Sequence, residues 1–188
     1  MGSMHVLGIS GSLRAASHNS ALLRAAQELA PPGMEVEIYD GIGTLPHYDQ
    51  DLEAEAPESV RTLCEKVREA DGLLIATPEY NYGPPGVLKN AIDWASRPAA
   101  SSPLLHKPIA LVSAAPTNFG GVRAQLALRQ AFLWTDSDVV TKPELIVFRS
   151  QDRFDDAGRL VDEATRELLG GVLEALAAKV VASRTVAA

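Results

Sequence analysis

Apolar positions along this chain follow two rhythms that take turns. Val6-Leu7-Gly8-Ile9, Leu73-Leu74-Ile75-Ala76 and Ile109-Ala110-Leu111-Val112 are short apolar runs, the pattern of strands buried on both faces. Between them apolar residues recur at i, i+3, i+4, i+7, the spacing of one helix face. Leu22, Ala25, Ala26 and Leu29 mark a helix from Ser20 to Ala30. Val60, Leu63, Cys64 and Val67 mark one from Glu58 to Ala70, and the stripe places Cys64 in the core. Leu88, Ala91, Ile92 and Ala95 mark a third, begun by Pro84-Pro85. Trp94 falls on another face of that helix and calls for cover from beyond the core. From Val122 to Leu133 the apolar residues spread past one stripe (Leu126, Ala127, Leu128, Ala131, Phe132, Leu133), which predicts a helix covered on more than one side, as at a subunit interface. Leu169, Val172, Leu173 and Leu176 mark a closing helix from Val161 to about Val181.

Two weaker strands complete the pattern. Met34 to Tyr39 alternates apolar residues with Glu35 and Glu37, as nearer a sheet edge, and Asp138 to Phe148, interrupted by Pro143, holds the fifth strand. Strand and helix alternate throughout. The expected fold is a single α/β domain over 4–188, a three-layer sandwich with helices on both faces of a five-stranded parallel sheet. Three unusual loops follow the first, third and fourth strands. In the flavodoxin-like strand order 2-1-3-4-5 they open on one edge and converge on one pocket. Met1-Gly2-Ser3 reads as a cloning remnant ahead of Met4.

Composition narrows the chemistry. The chain has 188 residues, 46% hydrophobic and 22% charged, with a net charge of −7. That suits a globular protein and argues against a nucleic-acid surface. One cysteine excludes an intrachain disulfide and fits a cytoplasmic address. No apolar run is long enough to insert in a membrane, and no signal peptide precedes the first strand. No metal-ligand spacing occurs, and His5, His47 and His106 lie in unrelated segments. The acids of the Asp40–Pro57 loop (Asp49, Asp51, Glu53, Glu55) read as a solvated face, with His47 and Tyr48 on the loop surface.

The stretch Ser10-Gly11-Ser12-Leu13-Arg14-Ala15-Ala16-Ser17-His18-Asn19 carries the first chemistry. It turns from a strand into a helix, where unpartnered N–H groups and the helix dipole favour an anion. Ser10, Ser12, Ser17 and Asn19 add side-chain donors, and Arg14 adds a two-pronged cation. Ser17 or Asn19 could equally cap the helix. A triphosphate loop is excluded by the absence of Gly-Lys-Ser/Thr. A Rossmann dinucleotide site lacks its glycine triplet, since Ser10 and Leu13 stand at the second and third positions, although Asp40 sits where a ribose-binding acid belongs. A donor-rich loop without that triplet suits a terminal monophosphate better than a buried pyrophosphate, which points toward FMN and leaves the Rossmann site as the weaker rival. In the second loop Pro78, Pro84 and Pro85 give stiffness, Tyr80 and Tyr82 give flat surface, and Asn81 with free amides can meet a flavin's pyrimidine edge.

Gly11-Ser12-Leu13-Arg14-x-x-Ser17-x-Asn19, Pro78-Glu79-Tyr80-Asn81-Tyr82-Gly83 and Leu88-Lys89-Asn90-Ala91-Ile92-Asp93-Trp94 together resemble the signatures of the NADPH-dependent FMN reductase family, in its chromate reductase, quinone reductase and azoreductase branch. The resemblance runs from Val6 to about Val147. It implies an FMN-dependent oxidoreductase that takes a hydride from NADPH or NADH and passes it to a small-molecule acceptor: a quinone, azo compound, chromate or free flavin. It implies cofactor contacts from Ser10, Ser12, Leu13, Arg14, Ser17, His18 (through its backbone) and Asn19. Further contacts would come from Pro78, Glu79, Tyr80, Asn81, Tyr82 and, in the third loop, Ala115. No catalytic side chain is implied, because the flavin carries the chemistry. A homodimer or homotetramer is implied too. The alternatives are an electron carrier of the same fold with no NAD(P)H site and, more remotely, a Rossmann dehydrogenase.

Overall fold

The computed structural model describes residues 3–186. Its centre is a parallel sheet of β1 (Met4–Ser10), β2 (Met34–Tyr39), β3 (Gly72–Thr77), β4 (Pro108–Ala114), β5 (Asp138–Val139) and β6 (Leu145–Val147). The order is β2-β1-β3-β4-β5, with β6 also on β4. Every pairing is parallel. The expected fifth strand is thus present in two pieces. Asp138 and Val139 pair with Pro108 and Ile109, and Leu145 to Val147 pair with Val112 to Ala114. Pro143 lies in the gap, where it has no N–H to give a ladder.

Alternate strand residues face opposite sides, so each strand feeds two apolar layers. Val6, Leu74, Ala76, Ala110 and Val112 pack with Leu22, Leu23, Leu173 and Leu176, from helices α1 (His18–Leu29) and α5 (Glu163–Val186). Leu7, Ile9, Leu73, Ile75, Ile109 and Leu111 pack on the other face. Their partners include Leu63, Leu88, Ile92, Leu128 and Phe132 from α2 (Glu58–Glu69), α3 (Gly86–Ala95) and α4 (Val122–Trp134). That is the three-layer arrangement the apolar pattern predicts.

The structure corrects the pattern in four places. Helix α1 starts at His18 rather than Ser20, because Ser17 caps it: its hydroxyl accepts from the N–H of Asn19 and Ser20. Helix α5 starts at Glu163, where the Asp162 carboxylate accepts from the Thr165 N–H at 3.0 Å. Cys64 is only half-buried, at the margin of α2's inner stripe beside Glu53, Arg61 and Arg97. Trp94 is covered by its own chain. Its Nε1 donates to the Pro46 carbonyl at 2.9 Å, and the Tyr48 ring meets it edge-on at 5.1 Å. Asn90 completes the pin, donating to the same carbonyl and accepting from the Tyr48 N–H. The Asp40–Pro57 loop is therefore a strap over α3 rather than only a solvated face.

Candidate active site

The carboxyl ends of β1, β3 and β4 border a cleft of about 390 Å³. Its walls come from the loop after β1 (Ser12, Arg14, Ser17) with His18 and Asn19, from Pro78 and Tyr80 after β3, from Ala114 and Pro116 after β4, and from Ser150 and Gln151. The volume lies in the range of small-molecule sites. Hydroxyls and a cation come from the first loop, and flat apolar surfaces from Pro78, Tyr80 and Pro116.

The polar groups of the first loop divide between those that brace it and those left facing the cleft or unpartnered. The Ser10 hydroxyl lies 2.9 Å from that of Ser20 and accepts from the Ser12 N–H, so it holds the turn instead of lining the cleft. Asn19 is fully committed. Its amide nitrogen donates to the Ala114 carbonyl and its oxygen accepts from the Ala114 N–H, both at 2.9 Å. It is a cross-link between α1 and β4, not the spare donor the sequence suggests. Leu13 points away from the cleft, out toward Gly43. Ser12 and Arg14 stay exposed or half-exposed at the cleft wall, with Arg14 Nη2 resting on the Ala16 carbonyl at 2.6 Å. Among the described residues the N–H groups of Ala15, Ala16 and His18 have no hydrogen-bond partner. They are the free donors that a helix start leaves for an anion.

The second loop is built differently. Tyr80 and Gly83 exchange two backbone hydrogen bonds of 3.0 Å across Asn81 and Tyr82. Both central residues have positive φ, 50° and 70°, which defines a type I′ turn. A tyrosine is strained there. The turn is held by Arg123, whose guanidinium lies 3.7 Å from the centre of the Tyr82 ring and 4.2 Å from that of Phe119. Arg123 is in turn ion-paired with the buried Glu79 carboxylate. That pairing raises the basicity of Arg123. Glu79 also accepts from the Arg123 backbone N–H at 3.0 Å, in the first turn of α4. The residue at the N-cap position, Gly121, offers no side chain, so Glu79 supplies the negative charge favoured at that helix start. Its side chain is structural, and Asn81 and Tyr82 stand outside the cleft wall.

The third loop closes tightly. Gly120 and Gly121 have φ of 58° and 93°, and a Cβ on them would come within 2.6 Å of Ile146 and 2.7 Å of Ser113. Only glycine fits this approach. Ala115 is buried, with its N–H donated to Val147 and its carbonyl accepting from Ser150. Its neighbours Ala114 and Pro116 are the residues at the cleft.

Sequence reasoning missed Ser150 and Gln151. No motif marks them, and they stand more than a hundred residues from the first loop. They arrive because β6 pairs with β4 and Ser150 bonds to Ala115. Ser150 meets His18 Nδ1 at 2.8 Å. Burial, then the nearby Arg14, holds the His18 imidazole below its ordinary pKa.

A parallel sheet whose first loop offers amides, hydroxyls and an arginine, and whose neighbouring loop offers flat surfaces, defines a nucleotide-type cofactor site of the flavodoxin-like class. The comparisons make this specific. Residues 4–152 match the profile of the NADPH-dependent FMN reductase family, and the chain belongs to that family. It is 49% identical over 172 residues to an NAD(P)H-dependent FMN reductase of Pseudomonas aeruginosa, covering 91% of this chain and 92% of that protein. It is 40% identical over 175 residues to a quinone reductase of Escherichia coli, covering 92% and 93%. The solved NAD(P)H:acceptor flavoenzyme FerB of Paracoccus denitrificans superposes with a TM-score of 0.85 at 36% identity, covering 94% of this chain and 97% of that one. The protein is an oxidoreductase that uses FMN and NAD(P)H. These findings favour the reductase over the electron carrier and the dehydrogenase.

Proposed function

We propose that the cleft seats FMN with its phosphoryl group at the start of α1 and its ring toward Pro78 and Tyr80, and that the enzyme reduces quinones. The observation that carries this reading is the loop before α1: Ser12, Arg14, Ser17 and His18 line one cleft of about 390 Å³, and the amides of Ala15, Ala16 and His18 in that same loop are unpartnered. FMN would supply hydride acceptance and donation. The protein's share is position and electrostatics. The α1 dipole and Arg14 hold the anion, and Ser17 both caps the helix and faces the cleft. The Glu79–Arg123 pair fixes the Tyr80–Gly83 turn, so the surface offered to the ring is rigid. Quinone is favoured because the Escherichia coli relative is named a quinone reductase. Azo compounds and chromate are the competing acceptors.

Helix α4 supports a homodimer or homotetramer. It buries Ala124, Gln125, Leu128 and Phe132 but leaves Leu126, Leu133 and Trp134 exposed, an apolar face suited to a second copy. A single cysteine, and no helix among the described residues long and apolar enough to cross a membrane, support a cytoplasmic address.

The test is direct. FMN-loaded protein mixed anaerobically with NADPH or NADH should lose its yellow absorbance, and a quinone should restore it. Loss without recovery by quinone, but with recovery by an azo dye or chromate, would move the acceptor. Retained colour with both nucleotides would remove the reductase reading.

A further inference from the structure

The side chain of His18 has no place in the resemblance, which uses only its backbone. In the structure it is held by two contacts at the wall of the cleft. Its ring stacks on Phe154 with centroids 4.5 Å apart and planes 4° apart. Nδ1 meets the Ser150 hydroxyl at 2.8 Å, and Ser150 is itself fully buried and fixed through its backbone to Ala115 and Arg153. The ring borders the same cavity as Ser12, Arg14 and Ser17. Nε2 makes no hydrogen bond among the described residues, yet no buried side-chain nitrogen there lacks a partner. Nε2 is therefore open to solvent. The ring's one spare polar atom belongs to a histidine that begins the anion-facing helix.

We propose that the His18 imidazole is a further ligand of the phosphoryl group, with Nε2 turned to the anion, and that the ring takes up a proton as the anion binds. This rests on the FMN reading above. The Ser150 hydroxyl can accept from Nδ1–H in both states of the ring, so protonation breaks no bond. Doubly protonated, the imidazolium donates through Nδ1 to Ser150 and through Nε2 to the phosphoryl oxygen, a charge-assisted bond.

The surroundings fix the direction. Arg14 is the charged side chain that borders the cavity with His18. From the segment packed on the ring, Ser150, Gln151 and Phe154 are neutral. Arg149 is paired with Asp152 at 2.8 Å, and Arg153 with Asp162 at 2.6 Å. The second and third loops contribute Pro78, Tyr80, Ala114 and Pro116, none charged at neutral pH. Without an anion, burial and Arg14 favour the neutral ring. A phosphoryl group cancels Arg14 and adds negative charge, so it raises the His18 pKa. Linkage then requires FMN to bind more tightly as pH falls through the raised pKa, levelling off below the free-protein pKa.

The experiment reads the ring directly. The chain has four histidines, so ring resonances can be followed by NMR with and without FMN, using inorganic phosphate as a second probe. We expect the His18 pKa to rise by about one unit or more with FMN. FMN dissociation constants for the wild type and His18→Gln are then compared between about pH 6 and pH 8.5. The wild type should gain roughly fivefold or more over the variant on acidification. Protonation of free FMN, whose second phosphate pKa is about 6, is common to both proteins and cancels in that ratio. Riboflavin, which lacks the phosphate, should show no such gain. A His18 pKa that ignores FMN, or equal pH slopes in the two proteins, overturns the proposal. If that occurs while Arg14→Ala still weakens FMN binding, the cleft reading survives and only His18 is removed. If wild-type protein binds no FMN at all, both fall.

Discussion

Two loops meet at the cleft and are built on opposite terms. The loop after β1 keeps its binding groups unspent. Ser10, Ser17 and Asn19 brace it and Arg14 leans on the Ala16 carbonyl of its own loop, while the amides of Ala15, Ala16 and His18 remain unpartnered. The loop after β3 commits Glu79 and the Tyr82 ring to its own structure. Its carboxylate is buried against Arg123, its aromatic ring is stacked on the same guanidinium, and its turn is closed by two backbone bonds. On the proposed reading, an anion meets amides that have no other partner and a flat ring meets a turn fixed by an ion pair, so that one loop would supply affinity and the other shape.

That contrast can be broken at its strongest point. Asn19→Ala removes both bonds to Ala114 and leaves a buried N–H and carbonyl unpaired. Urea unfolding should show a loss of about 2–3 kcal/mol, and an unchanged midpoint would mean that Asn19 braces nothing. Arg14→Ala should do the reverse, weakening FMN binding by about tenfold or more while leaving the urea midpoint in place. Ser17→Ala tests the residue that serves both purposes. It should cost about 1 kcal/mol as a lost cap and also raise the FMN dissociation constant. Glu79→Gln probes the second loop, keeping the shape and removing the charge. FMN titration should show only a few-fold change, with a larger effect on KM for NAD(P)H if the turn borders the nucleotide. A tenfold loss of FMN affinity there would make the second loop a binding loop after all. Leu133→Glu, remote from both loops, should shift sedimentation toward monomer with the flavin site intact.

The sheet was legible because its three central strands are apolar runs and most of its helices carry a single apolar stripe. Even the division of the last strand showed in Pro143. What stayed hidden depends on chain that returns from far away. Trp94 looked uncovered because nothing periodic in Asp40–Pro57 reveals that Pro46 and Tyr48 fold back over α3. Asn19 looked like a free donor because a motif does not say which way an amide faces, and here it faces Ala114. Glu79 and Arg123 lie 44 residues apart and their pairing leaves no local trace. Ser150 reaches the cleft only through the register of β6 on β4.

The strap over α3 also gives the molecule two optical probes with different duties. Of its two tryptophans, Trp94 is 2% exposed and hydrogen-bonded under the strap, whereas Trp134 is 69% exposed at the end of α4. Emission from the first should redden only when the chain unfolds, and emission from the second should turn blue when another copy settles on it. Replacing either one with phenylalanine would let a single cuvette report unfolding and self-association as separate colours.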